Sequence, residues 1–525
     1  MSIPKPLEYF LTHYREIVIA GFAVPASFIH GVLYGLNNWV YRTFRNTSVS
    51  HDKAVKLIQD EVRAGWQNGQ QMCTGRKPWK SMSSRSADFK ASMHQVSIDH
   101  LRNVLEVDEV RHVVRAEPMV TMGDITHFLV PKGFALAVQA EMDDLTLGGL
   151  CMGVGIETSS HREGFLFETV EAFEIVIANG DCLRCTREDN SELFYALPWS
   201  HGTLGFLVAV ELRIVPIKSH IRLEYEPCHS LKAFCSRLEE LTASSDAPQF
   251  IEGLIFSSTS GVILKGDFAV PPRHARVNRI NNFYKPWFFS HVARSLTEVG
   301  PFSEYVPTRH YFHRHTPSIF FQIKDLIRFA NTVWYRYLWA WMGAPKISLM
   351  KLTMTQDVRR QVFEGRVAQD ILIPIEHLAE SVLLSADLFE IYPLWVCPVR
   401  LFDHDIHEGF LRNPANGGGG SQMFVDLGIY GIPATVETGN YNQIQATRKL
   451  EAFVRDRGGY QMLYADICMT QSEFEDMFEH RLYRAMRERY AADRVFPDVY
   501  SKVRPESWIR EQIEASTDIT FGRSE

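Results

Sequence analysis

The sequence predicts an α+β protein of two or three domains behind an N-terminal apolar helix. Three observations predict it. The stretch Ile17 to Tyr41 contains no Lys, Arg, Asp or Glu. Four glycines, Gly148, Gly149, Gly153 and Gly155, fall within eight residues, and a strand-like run from Ala172 to Ala178 follows, ending at Asn179-Gly180-Asp181. Strand alternation and helical spacing then interleave along most of the 525 residues, a length that accommodates two or three ordinary cores.

The N-terminal run is long enough to cross a bilayer, for which about 20 apolar residues suffice. A buried or interfacial helix is the alternative. Arg42, Arg45, Lys53 and Lys56 follow it, and Lys5 and Arg15 precede it. The positive-inside rule then places the bulk of the chain in the cytoplasm. Eight sparse cysteines, irregularly spaced, fit free thiols in a reducing compartment. A net charge of −7 leaves no basic footprint for nucleic acid.

Helical spacing runs from Lys53 to Trp66. Val104 to Arg115 alternates as two short strands around Asp108-Glu109. Thr121 can cap a helix reaching Leu129, and Lys132-Gly133 ends it. A strand follows at Leu136 to Val138. Cys182 and Cys185 sit three apart on a strand and so point to opposite faces, which argues against a metal or redox pair. Beyond about Pro216 the chain becomes unusually aromatic. Met423 to Val436 reads as a strand, Tyr441 to Arg455 as a helix, Met462 to Asp466 as a strand, and Phe474 to Tyr490 as a helix.

The glycine loop carries the chemistry. Glycine N–H groups approach an anion with no Cβ in the way. No Lys follows as a P-loop requires, and Gly153-x-Gly155 does not open a helix as a dinucleotide fingerprint would. A connecting turn is the bland alternative. Two segments follow in order: Glu192-Leu193-Phe194-Tyr195-Ala196 and Gly202-Thr203-Leu204-Gly205-Phe206-Leu207-Val208. Together with the loop they resemble the FAD-binding domain of the vanillyl-alcohol-oxidase and p-cresol-methylhydroxylase family. The resemblance implies a two-subdomain FAD-binding domain plus an α+β substrate (cap) domain. The expected division is a membrane anchor at 1–45 with its helix at about 17–41, an FAD-binding domain at 46–217, a cap domain at 218–500 and a tail at 501–525.

The resemblance assigns the FAD diphosphate to Thr146, Leu147, Gly148, Gly149, Leu150, Cys151, Met152, Gly153, Val154, Gly155, Ile156, Glu157 and Thr158. A second cradle falls at Thr74 to Ser81, where Arg76 and Lys80 are candidate phosphate contacts. No histidine is present there, so FAD is expected to be non-covalent.

Within that superfamily the chain resembles the Delta-24 sterol reductases. The segments are Glu117 to Gly123, Asp143-Asp144-Leu145-Thr146, Pro198 to Phe206, Tyr284 to Phe289, Pro345 to Leu349 and Gln461 to Asp466. The resemblance implies reduction of a sterol side-chain double bond at carbon 24, of the desmosterol-to-cholesterol type. NADPH would supply electrons through FAD, in an endoplasmic reticulum or Golgi membrane. A flavin oxidase or dehydrogenase of an alcohol or hydroxyacid, and a non-catalytic sterol-binding protein, are the competing readings.

An isolated alkene has no carbonyl to take up charge, so its reduction needs a proton donor beside an apolar wall. Candidate donors are Tyr311, His313, His315, Tyr464, Asp466 and Glu157. On a strand, Tyr464 and Asp466 would share a face; a core tyrosine and a turn-facing aspartate read equally well. Trp334 to Met342 reads as a buried core helix, or as an interfacial segment that guides sterol inward.

Overall fold

The computed structural model describes residues 5–44, 47–77, 88–405, 407–414, 420–434, 436 and 441–521. Two antiparallel sheets organise the described chain. The first is built around Phe206–Pro216, a strand buried along nearly its whole length. Its sequence is accordingly an almost unbroken apolar run rather than an alternation. On one side of it lie Val113–Ala116 and then Val104–Asp108; on the other lie Val170–Val176 and then Cys182–Cys185, while Phe134–Leu136 pairs with its far end. At the entry to this strand Gly205 has φ +159°, and a Cβ there would stand 2.6 Å from the Val176 carbonyl oxygen, so only glycine fits.

Several expected elements appear with these boundaries. Thr121 caps Met122–Leu129 by accepting from Asp124 N–H at 3.1 Å, and Gly133 ends the turn that follows with φ +82°. Cys182 is exposed and Cys185 buried, on opposite faces as the alternation requires. The mixed α+β class read from the sequence is the class observed.

The chain passes to the second sheet between Pro216 and His220. Its eight strands run in the order Phe302–Pro307, His220–Cys228, Ser260–Ala269, Phe250–Ser257, Leu394–Phe402, Ser421–Gly431, Val367–Pro374 and Tyr460–Gln461. The face carrying Tyr225, Leu264, Trp395, Cys397 and Tyr430 packs beneath Tyr311, Phe312 and Phe321. The chain then turns back. Helices Gln471–Met477 and Arg481–Arg489 return to the first sheet, where the Tyr483 hydroxyl lies 2.6 Å from Thr203 Oγ1 and Arg487 donates to the Thr203 carbonyl at 2.8 Å.

Three expectations fail locally. Met462 to Asp466 is a turn, because the strand ends at Gln461. Phe474 to Tyr490 is two helices broken at Phe478 to His480. Trp334 to Met342 is not one buried helix: Val333–Leu338 is followed by a single turn at Ala340–Met342, and Tyr335 is buried whereas Trp334, Tyr337 and Trp341 are exposed.

Candidate active site

The glycine loop is held at its start and open at its middle. Leu147 N–H donates to the Val120 carbonyl at 2.9 Å and Gly148 N–H to the Pro118 carbonyl at 2.9 Å. Thr146 N-terminally flanks the short helix Leu147–Cys151, and Arg76 reaches Thr146 Oγ1 at 3.4 Å. The next four N–H groups, of Gly153, Val154, Gly155 and Ile156, donate to no acceptor among the described residues. Four such donors in succession are free to meet an anion. Its backbone tolerates no bulk. A Cβ on Gly153 would stand 2.6 Å from the Gly149 carbonyl oxygen, and one on Gly155 would stand 2.8 Å from Leu166 Cβ. Of the second expected cradle, Arg76 is described, whereas Lys80 lies outside the described residues.

The loop ends at Glu157 and Thr158, which meet the large sheet. There Arg314, fully buried, donates to Glu252 at 2.7 and 2.8 Å and to Glu157 at 2.8 Å, with Glu141 at 3.5 Å. Three carboxylates against one guanidinium cannot all stay ionised in a buried site. Burial raises Glu141 well above the usual carboxylate range and raises Glu157 as well. Burial also pushes Glu252 upward, but the Arg314 charge and the hydrogen bonds from His315 and Arg314 outweigh it and hold Glu252 low. Glu252 is therefore the acid most firmly held as the anion beside Arg314, while Glu141 and Glu157 take up a proton more readily than ordinary carboxyls.

The structure sorts the candidate donors into separate places. The Tyr311 hydroxyl lies 3.1 Å from Thr158 Oγ1, and its ring lies against Arg314. His315 reaches Glu252 at 3.3 Å. His313 is committed elsewhere: Nδ1 lies 2.8 Å from the Glu141 carbonyl and 2.7 Å from Asp143, and Nε2 lies 3.0 Å from Thr126 Oγ1. Both His313 and His315 are buried, against the half-exposed alternative. Asp466 bonds Arg359 at 2.8 Å, which also holds Glu506 at 3.1 Å. With no strand at 462–466, the shared strand face expected for Tyr464 and Asp466 is absent.

Tyr464 instead joins two acids that pattern reasoning passed over. Asp370 sits in Val367–Pro374 opposite Gly428, and Asp426 sits in Ser421–Gly431 opposite Cys397. Tyr430 donates to Asp370, and the Tyr464 hydroxyl lies beside both. Burial raises Asp370 to about 7 despite the hydrogen bonds from Tyr430 and Tyr464. Burial, then the Asp370 charge, raises Asp426 well above its ordinary value. Asp370 Oδ2 and both Asp426 oxygens are buried without a hydrogen-bond partner among the described residues. The Tyr464 residue is 40% exposed even though its hydroxyl is enclosed, so its ring borders open space. Gly428 makes the cluster: a Cβ there would stand 2.8 Å from the Tyr430 ring and hydroxyl. The two clusters share an aromatic wall. Trp395 donates to Glu252 at 3.0 Å, and Phe320 contacts His315, Trp395 and Tyr430.

A family model described as a FAD binding domain matches residues 80–186. The Delta(24)-sterol reductase of Homo sapiens is 40% identical over 501 residues, covering 95% of each chain. The Delta(24)-sterol reductase of Arabidopsis thaliana is 35% identical over 547 residues, covering 99% of this chain and 97% of that one. The chain belongs to the Delta(24)-sterol reductase family.

Family membership makes it an oxidoreductase with a FAD binding domain. L-gulonolactone oxidase of Scyliorhinus torazame is 31% identical over 121 residues, only 23% of this chain. What the sterol reductases share with this chain therefore extends across both sheets, and includes the strands bearing Glu252, Asp370 and Asp426. Sequence offered one signal for the two missed aspartates, an acid interrupting an apolar strand: Val367-Ala-Gln-Asp370-Ile-Leu-Ile373 and Met423-Phe-Val-Asp426-Leu427.

Proposed function

We propose that this protein reduces the carbon-24 double bond of a sterol side chain, using FAD held non-covalently and NADPH as electron source. The observation that carries the reading is the relationship to Delta(24)-sterol reductases along 95% of the chain. The unpaired N–H groups of Gly153 to Ile156, the close backbone approach that Gly153 and Gly155 allow, and Arg76 suit a diphosphate, so the residues present fit FAD. Thr146 to Thr158 is the segment we assign to it. Bound and reduced, FAD supplies hydride.

The chain's own residues supply the proton and its surroundings. Burial raises the Asp370 carboxyl to about 7, so it keeps a large share of its proton up to neutral pH. Its Oδ1 accepts from Tyr430, and Tyr464 links the acid to the open side of the site. We assign proton delivery to this group, through the Tyr464 hydroxyl, to one alkene carbon. Charge then develops on the other carbon. The faces of Tyr430, Trp395 and Phe320 stabilise that charge, as aromatic faces do cations. Asp426, its carboxyl raised by burial and by the Asp370 charge, resists taking a second negative charge beside the reservoir. The Arg314 cluster positions the end of the glycine loop against the sheet; we assign Tyr311 and His313 to that positioning.

The same reading places the protein at the endoplasmic reticulum or Golgi membrane with its catalytic part cytoplasmic. A sterol substrate and the free thiols support this. The test uses detergent-solubilised protein. NADPH should bleach its flavin absorbance, and desmosterol should restore it anaerobically; failure of sterol to restore it overturns the proposal. Peroxide formed from a small alcohol would favour the oxidase reading instead. Tyr464→Phe should retain flavin and its bleaching by NADPH, while slowing the sterol step by about 10²-fold or more.

A further inference from the structure

The helix Arg15–Asn37 is long and apolar enough to cross a membrane, yet the protein body holds it along its length. Arg328 stands 3.8 Å from Glu16. Trp339 Nε1 donates to the Ala20 carbonyl at 2.9 Å, and the Lys346 N–H donates to Ser27 Oγ at 2.8 Å. The Tyr34 hydroxyl donates to Asp124 at 2.9 Å. From Glu16 to Tyr34 a helix rises about 27 Å, close to the thickness of the hydrocarbon core. A spanning orientation would either tear these contacts away or draw Asp124, Arg328 and the Lys346–Asp144 pair into lipid, where charges are costly.

The opposite side of the helix is exposed and apolar. Ile17, Phe22, Ile29, Leu33 and Leu36 all face outward. Beside them lies a second exposed apolar surface on a different part of the chain: Val333, Trp334, Tyr337, Leu338 and Trp341. The two meet where the Phe28 ring contacts Trp341 at 5.3 Å. A continuous face of this extent is unusual on a protein surrounded by water. Its chemistry selects the occupant. Trp and Tyr settle at the membrane–water boundary. From Ile319 to Leu352 the sequence carries Lys324, Arg328, Arg336, Lys346 and Lys351 against Asp325, and Glu16 and Asp144 reach Arg328 and Lys346 from elsewhere, which leaves five cations to three acids in a chain of net charge −7. A local cationic excess on a negative protein complements an anionic leaflet.

The geometry points to a monotopic arrangement, in which Arg15–Asn37 and Val333–Trp341 together form one face that sits in a single phospholipid leaflet without crossing it. The surface continues inward. Ile319 packs with the helix in one apolar cluster, and Phe320 and Phe321 contact Tyr430 in the site. Ile319, Phe320 and Phe321 all adopt φ between +46° and +71°, a conformation that bulky residues rarely hold without compensation.

The full-length protein is tested with vesicles of phosphatidylcholine, with and without phosphatidylserine. Trp334→Glu/Trp341→Glu should lower vesicle partitioning by about tenfold or more, as should Ile29→Glu/Leu33→Glu, because each places charge in the buried part of the interface. Phosphatidylserine should strengthen binding of the parent protein. Retained flavin absorbance confirms that each variant is folded. Unchanged partitioning of the tryptophan variant overturns the proposal, since a spanning helix alone would then be the anchor. A glycosylation sequon added before Lys5 gives a second reading in microsomes. It should remain unmodified; glycosylation there would show a crossing and overturn the proposal. Self-association in buffer with no vesicle uptake would also overturn it.

Discussion

Replacing Asp370 with asparagine tests the proton reservoir directly. The substitution keeps the shape and the bond from Tyr430 but removes the titration. Burial moves the carboxyl from an ordinary value of 3.8 to about 7 in the folded protein. Between those values the folded state holds a proton that the unfolded chain has lost, so stability falls as pH rises. The slope is about 1.4 kcal/mol per pH unit and the whole window is worth on the order of 4 kcal/mol. The contribution is fully present below about pH 4 and is lost by pH 7. The neutral amide carries no such penalty. Urea midpoints of the parent protein and Asp370→Asn, measured in detergent from pH 5 to 8, should therefore diverge. The variant should gain steadily up to about pH 7 and then run parallel. Its sterol-dependent flavin reoxidation should drop while flavin retention stays. Parallel stability curves across the whole range would refute the raised carboxyl, and with it the reservoir.

Three further outcomes follow from particular contacts. Gly155→Val should yield protein purified without flavin absorbance, because its Cβ alone lies within 2.8 Å of Leu166 Cβ; full flavin occupancy would remove the loop from the cofactor site. Arg314→Met strands Glu252 without its partner, and a broken buried pair costs about 3–5 kcal/mol. Its urea midpoint should fall accordingly, and Arg314→Met/Glu252→Leu should recover most of the loss. Gly428→Ala should displace Tyr430 at a cost of about 1–3 kcal/mol, read as a lower melting temperature and a slower sterol step with flavin retained.

The local elements were largely legible because their signals are local. Thr121 and Gly133 mark a helix start and a stop, and the alternation around Cys182 and Cys185 sets their faces. The failures occurred where the deciding partner is distant. Nothing near Tyr464 announces that the strand ends at Gln461, since its pairing with Val367–Pro374 lies about ninety positions away. Asp370 and Asp426 drew no notice inside their apolar strands, because only the register of three strands places them on one face with Tyr430. His313, a candidate donor by composition, proved to be fully engaged by Glu141, Asp143 and Thr126.

By itself the sequence determined the α+β class, the glycine loop and the family. Each rests on residues adjacent in the chain, where backbone conformation and Cβ exclusion act over a few positions. Only the tertiary structure decided which acids hold protons and how the apolar helix is used. Ionisation depends on burial and on charges brought from distant strands, as at Arg314 and Asp370. The lie of the helix depends on whether one side of it finds partners, and here Trp339, Lys346 and Asp124 provide them.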